Sequence, residues 1–127
     1  MTTAKYLGIW MDHSSAHIMK LTSDSIESVT IESNFAHQEI EYGSDMGENM
    51  MHHKRQQRLS DYYIRLGDTI KNYASVILFG PTSAKAELFN LLRANQLFAN
   101  IKFDIKQTNK MPVHMEHAYV RNHFFRS

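Results

Sequence analysis

The run His52-His53-Lys54-Arg55-Gln56-Gln57-Arg58 concentrates more chemistry than any other part of this sequence. It holds three permanent cations and two histidines. Lysine and arginine there can contact phosphates. Glutamine and arginine can touch the bases of unpaired RNA. His52, His53, Lys54, Arg55, Gln56 and Arg58 are therefore the candidate RNA-binding residues. The alternative is a solvated loop that runs into a helix. A cationic helix start opposes the helix macrodipole, and that local conflict points toward function. Asp45 and Glu48 nearby point the other way.

A second candidate is Gly80-Pro81-Thr82-Ser83-Ala84-Lys85. An apolar run ends here and a helix begins, so free helix-start amides could hold an anion. Thr82, Ser83 and Lys85 are the anion-binding candidates. The position also suits ligand binding at strand ends in α/β sheets. The Gly-x4-Gly-Lys spacing of a P-loop is absent. The competing reading is a structural turn with Thr82 as N-cap.

Asp12-His13 ends the first apolar run, where a metal nuclease would place one carboxylate. Such an enzyme needs several converging carboxylates. Phe79-Gly80 supplies none, so Asp12 reads as a turn residue that bonds nearby amides. His114 and His117 are three apart and can share a helix face. With His13 or His52-His53 they could bind zinc or nickel, but nothing in the sequence makes them converge. Nucleophilic catalysis finds no cysteine and no serine–histidine signature. No catalytic residue, metal or cofactor is assigned, and an enzyme is the less favoured class.

Periodicity supplies the elements that would position these groups. Leu7, Ile9 and Met11 alternate with Gly8 and Trp10 in a strand over Lys5 to Asp12. Ala16 to Leu21 and Ile26 to Glu32 follow as strands after close turns, which implies an antiparallel meander. Residues from about 34 to 57 lack a period and are expected to be a mobile loop. Leu59, Tyr63, Leu66, Ile70 and Tyr73 mark one face of a helix over Gln57 to Tyr73. Ser75 to Phe79 reads as a strand buried on both faces. Ala84, Leu88, Leu91, Leu92 and Asn95 define the inner face of a second helix. Ile101, Phe103 and Ile105 alternate with Lys102, Asp104 and Lys106 in an edge strand. Pro112 opens a last helix at its favoured first position, docked by Val113, Val120 and Phe124. The order is βββ, long loop, αβαβα. It predicts an α/β, ribonuclease-H-like three-layer domain with right-handed parallel crossovers.

The 127 residues, 43% of them hydrophobic, fit a single domain over 1–127. Absence of cysteine excludes a disulfide framework and cysteine-rich zinc sites. The start lacks a signal-peptide pattern, and no apolar run approaches the ~20 residues of a membrane span. A cytoplasmic protein with no membrane partner is the expectation. A net charge of +1 argues against a wholly basic nucleic-acid binder but allows a basic patch.

Four segments resemble a known family when taken together. They are Leu7-Gly8-Ile9-Trp10-Met11-Asp12-His13 with Ala16; His52-His53-Lys54-Arg55; Ile77 through Glu87; and Ala118-Tyr119-Val120-Arg121-Asn122-His123-Phe124. The set resembles small bacterial translational-machinery-like proteins, relatives of the middle domain of archaeo-eukaryotic peptide-chain release factors. The resemblance covers most of the chain. It implies a ribonuclease-H-like fold and association with ribosome or RNA. Release factors carry Gly-Gly-Gln on the loop before a long helix. Here that region holds Gly43, Gly47 and Gln56-Gln57 but no Gly-Gly-Gln. Peptidyl-tRNA hydrolysis is therefore not implied. The leading expectation is a noncatalytic, ribosome- or RNA-binding protein. A homo-oligomeric interaction module is the alternative, motivated by near-zero net charge and many aromatics. A metal-dependent hydrolase ranks third.

Overall fold

The computed structural model describes residues 6–22, 25–33 and 48–125, with side chains from 56 onward in the last stretch. Five strands form one sheet: β1 (Tyr6–Met11), β2 (Ser15–Leu21), β3 (Ile26–Glu32), β4 (Ser75–Gly80) and β5 (Lys102–Gln107). The helices are α1 (Glu48–Ile70), α2 (Ala84–Arg93) and α3 (Val113–Phe125), with a 3-10 turn at Gln96–Phe98. The strand order is β3-β2-β1-β4-β5. β1 pairs antiparallel with β2, and β2 with β3, which makes the expected meander. β4 lies parallel to both β1 and β5.

The hairpin turn has a visible cause. Asp12 Oδ1 accepts from the Ser14 and Ser15 amides, both at 2.8 Å. The carboxylate thus closes the turn that reverses β1 into β2.

β1 and β4 are buried along nearly their whole length, so both faces need cover. Leu7, Ile9, Met11, Val76 and Leu78 face one layer, where Tyr62, Leu66 and Ile70 of α1 meet Leu88 and Leu92 of α2. Trp10, Ile77 and Phe79 face the other layer with Met19, Leu21 and Val120 of α3. Burying each large apolar side chain fully contributes about 1.5–3 kcal/mol.

Two glycines permit close approach. A Cβ on Gly8 would overlap both Val120 methyls, so α3 rests directly on the β1 backbone. Gly80 has φ 152°, and its Cβ would overlap the Met11 carbonyl oxygen.

Several expectations shift. The first helix starts at Glu48, not near Gln57, and ends at Ile70 rather than Tyr73. Residues 48–57 therefore belong to a helix instead of the expected loop; residues 34–47 of that loop lie outside the described residues. Leu91 is 47% exposed and Asn95 is exposed, so neither lines the inner face of α2. Asn95 caps the 3-10 turn instead, accepting from Leu97 N at 2.9 Å. Pro112 precedes α3, its carbonyl accepting from Met115 N and Glu116 N. Val113 is 54% exposed and does not dock α3. Val120 and Phe124 do, the latter stacked on Tyr6 at 4.8 Å. None of the described helices is long and apolar enough to cross a membrane.

Gly8→Ala should destabilise the fold by about 1–3 kcal/mol through overpacking against Val120. In a Gly8→Ala/Val120→Ala double variant the added methyl finds room. Urea unfolding should give a double-variant loss smaller than the sum of the single losses by about 1 kcal/mol. Strict additivity would show that the two residues are not in conflict.

Candidate functional site

The chain leaves β1 by a hairpin to one side, and leaves β4 by a crossover helix toward β5 on the other. The carboxyl ends of β1 and β4 therefore flank the place where the connections diverge, which in open α/β sheets is where ligands bind. All three helices begin at this end of the sheet, because each runs antiparallel to the strand it packs on. For α1 the direction is fixed by two contacts. Tyr62 Oη donates to the Asp12 carbonyl at 2.9 Å, at the carboxyl end. Ile70 leads into Ser75, which pairs with Tyr6 at the opposite end.

Length then becomes decisive. A 23-residue helix spans about 35 Å. A six-residue strand spans about 20 Å. The surplus lies before Tyr62, the first buried residue of α1 from position 56 onward. The first turns of α1 thus extend past the carboxyl edge of the sheet. His52, His53, Lys54 and Arg55 fall on them, with their side chains outside the described residues. Gln56 is exposed and Arg58 half-buried.

Beside this projection sits a polar cluster. Glu87, in the first turn of α2, accepts from three donors. Tyr63 Oη lies 2.7 Å from Oε1, Ser83 Oγ 3.0 Å from Oε2, and His13 Nε2 3.2 Å from both oxygens. Burial pushes the Glu87 carboxyl up. The bonds from Tyr63, His13 and Ser83 and the His13 charge outweigh it, so the group is held below the usual carboxylate range. Burial, reinforced by Glu87, pushes the Tyr63 phenol well up and keeps it a donor.

The three anion-binding candidates are each engaged by other groups of the chain. Lys85 is buried; its Nζ donates to the Thr82 carbonyl at 2.5 Å and to Gln107 Oε1 at 2.7 Å. Gln107 Nε2 donates in turn to the Pro81 carbonyl. Burial pushes the Lys85 ammonium down. Thr82 Oγ1 accepts from Ala84 N at 3.2 Å, while the cap position itself falls on Ser83, one residue later than expected. The helix start already carries an anion of its own, the Glu87 carboxylate.

Chemically, the cluster is a carboxylate-oriented imidazole without an activated hydroxyl, because Ser83 donates to Glu87 and not to His13. Among the described residues, no three histidines or acids gather in a way that could hold a metal ion. Asp12 is engaged in the hairpin turn, His13 with Glu87, and His117 with Ser28 at 2.9 Å. His114 is exposed at the start of α3. Sequence reasoning passed over Tyr62, Tyr63 and Glu87. Only the Ser83–Glu87 spacing, four residues at a helix start, carried a local signal.

No family model matches the chain, and no curated protein sequence does. Solved structures do match in fold. Pelota from Thermoplasma acidophilum is 18% identical with a TM-score of 0.61, over 91% of this chain and 31% of that one. Dom34 of S. cerevisiae, described as a translation termination-like factor involved in RNA quality control pathways and interacting with Hbs1, is 13% identical with a TM-score of 0.58, over 94% and 32%. The archaeal translation termination factor aRF1 is 16% identical with a TM-score of 0.55, over 85% and 31%. The chain spans about a third of the length of each. At these identities the likeness is one of fold.

The Glu87 carboxyl is held below its unfolded range, so its contribution to stability is present above the unfolded value and lost as pH falls through the folded one. Glu87→Gln should cost about 0.5–1 kcal/mol at neutral pH, discounted for solvent screening at this partly exposed site. Denaturant unfolding across pH should show the gap from the parent closing below about pH 4. A gap unchanged by acid would mean that the charge of Glu87 plays no part.

Proposed function

We propose that this chain is a noncatalytic, translation-associated domain that binds ribosome or structured RNA through His52, His53, Lys54, Arg55, Gln56 and Arg58. The observation that carries the reading is the surplus length of α1, which puts this basic segment beyond the body of the sheet. A cationic segment on a rigid projecting helix can reach a phosphate backbone that a flat domain surface cannot. The fold neighbours add support. They are release-factor-like proteins, and an archaeal Pelota with this fold has been described bound to the ribosome together with ABCE1. On this reading the chain corresponds to their middle domain, with the ribonuclease-H-like topology that the strand order β3-β2-β1-β4-β5 supports, and works in the cytoplasm. Binding without catalysis fits a sequence that lacks Gly-Gly-Gln.

A second reading, a homo-oligomeric module, draws on one surface. Ile64, Leu91 and Leu97 are 54%, 47% and 71% exposed around a groove of ≈ 270 Å³ between α1 and α2. Asp68 and Lys71 on the same groove pair with each other at 3.7 Å, so a second copy related by a two-fold axis would match the apolar groups. Light scattering at working concentration should then report a dimer that Leu97→Glu dissociates; a parent that is monomeric throughout removes this reading.

Ribosomes sedimented through low-salt sucrose should carry the parent chain into the pellet. Changing Lys54, Arg55 and Arg58 together to alanine should lower the bound fraction about tenfold or more, and added salt should have the same effect on the parent. Pelleting that ignores both the variant and the salt would refute the assignment to this segment.

A further inference from the structure

We infer that a second, separate surface, built by β5, the turn after it and the outer face of α3, docks the RNA phosphate backbone. The inference starts from charge segregation along the chain. Residues 101–127 hold five lysines and arginines but only two acids, Asp104 and Glu116. The fold buries one acid and engages the other with a histidine. Glu116 is 1% exposed, and both its oxygens meet His17 Nδ1 of β2, at 2.9 and 3.0 Å. Asp104 accepts from His123 Nε2 at 3.0 Å. Lys102, Lys106, Lys110 and Arg121 are all exposed. Among the described residues of this segment, four exposed cations thus stand against one half-buried acid, Asp104, although the whole chain carries only +1.

Strand periodicity aligns part of this charge. Phe103 and Ile105 pack toward α1 and α2, while Asp104 meets α3. Lys102 and Lys106 therefore lie on the α3 side, flanking Asp104, about 13 Å apart. Lys110 continues the row in the turn, and the exposed Asn109 and His114 add hydrogen-bonding groups beside it. Glu32, an exposed acid of the same layer by alternation with Ser28, sits at the opposite sheet edge, about 19 Å away.

A row of separated cations suits a linear polyanion better than a single anion. It also suits RNA better than a lipid surface. Membrane docking needs a continuous apolar stripe, whereas Val113, Met115 and Phe125 on α3 are interrupted by His114, Arg121 and Asn122. The site shares the RNA reading proposed above but lies on the other layer of the sheet, so the two can be separated by experiment.

The test uses the full chain, a fluorescently labelled oligoribonucleotide and a salt series. Lys102→Gln/Lys106→Gln/Lys110→Gln should bind about tenfold more weakly at low salt, and its log–log salt slope should fall by about 2, at ~0.7 per lost phosphate contact. Thermal unfolding of the variant should match the parent, since these side chains are exposed. Should the triple variant fold poorly, Lys110→Gln alone should still flatten the slope by ~0.7. Loss in this variant with none in Lys54→Ala/Arg55→Ala/Arg58→Ala upholds this surface and rejects the helix segment. The reverse pattern upholds the helix segment and overturns this surface. Unchanged affinity and slope, a parent that binds no oligonucleotide, or a parent that prefers phosphatidylserine vesicles or polyglutamate to RNA also overturns it.

Discussion

Burial of both faces of the parallel β1–β4 pair is the constraint from which the rest of this structure follows. A strand pair with two apolar faces cannot stand at a surface, so helices must cover each side. α1 and α2 close one side through Tyr62, Leu66, Ile70, Leu88 and Leu92. α3 closes the other through Val120, seated on Gly8, and through Tyr119 stacked on Phe79 at 4.7 Å. Because covering helices return antiparallel to the strands, their amino-terminal ends gather at one end of the sheet. That end therefore collects the positive ends of the helix dipoles, the hairpin turn and the projecting part of α1.

Histidine–carboxylate pairs do the polar work of holding the layers. His13 joins the hairpin to α2, His17 joins β2 to α3, and His123 joins α3 to β5. His117 adds a bond to Ser28 of β3. α3 is thus tied across three strands by imidazoles as well as by apolar contact. The His17–Glu116 pair matters most, since Glu116 is 1% exposed and losing His17 would leave a buried carboxyl without that partner. The same pairs shape the surface. By engaging Glu116 and Asp104 they leave lysines and arginine as the main outward charge around β5 and α3.

Much of this was legible in order. The meander, β4 and β5 follow from alternation and from apolar runs bounded by turn residues. The errors have local causes. Asn34 to Gln57 has no apolar period, so nothing in it marks a helix start at Glu48, and a helix end that runs past the sheet has no strand beneath it to impose one. Leu91 was placed inward on spacing alone, yet the face of α2 that meets the sheet is narrower than its apolar stripe. Lys85 reads as an anion ligand from its place at a helix start, but its Nζ turns to the Thr82 carbonyl and Gln107.

By itself, the sequence determined the element order, the buried character of β4, the Asp12 turn and the presence of a basic segment at 52–58. These are local properties, written in residue type and spacing within a few positions. The tertiary structure alone decided that the basic segment rides on a helix longer than the sheet, that Glu87 gathers Tyr63, Ser83 and His13, and that Asp104 and Glu116 are matched by histidines. Each of those depends on packing, and most join groups far apart along the chain, up to 99 positions for His17 and Glu116. No local pattern encodes such a meeting, because it is set by the sheet that brings the elements together.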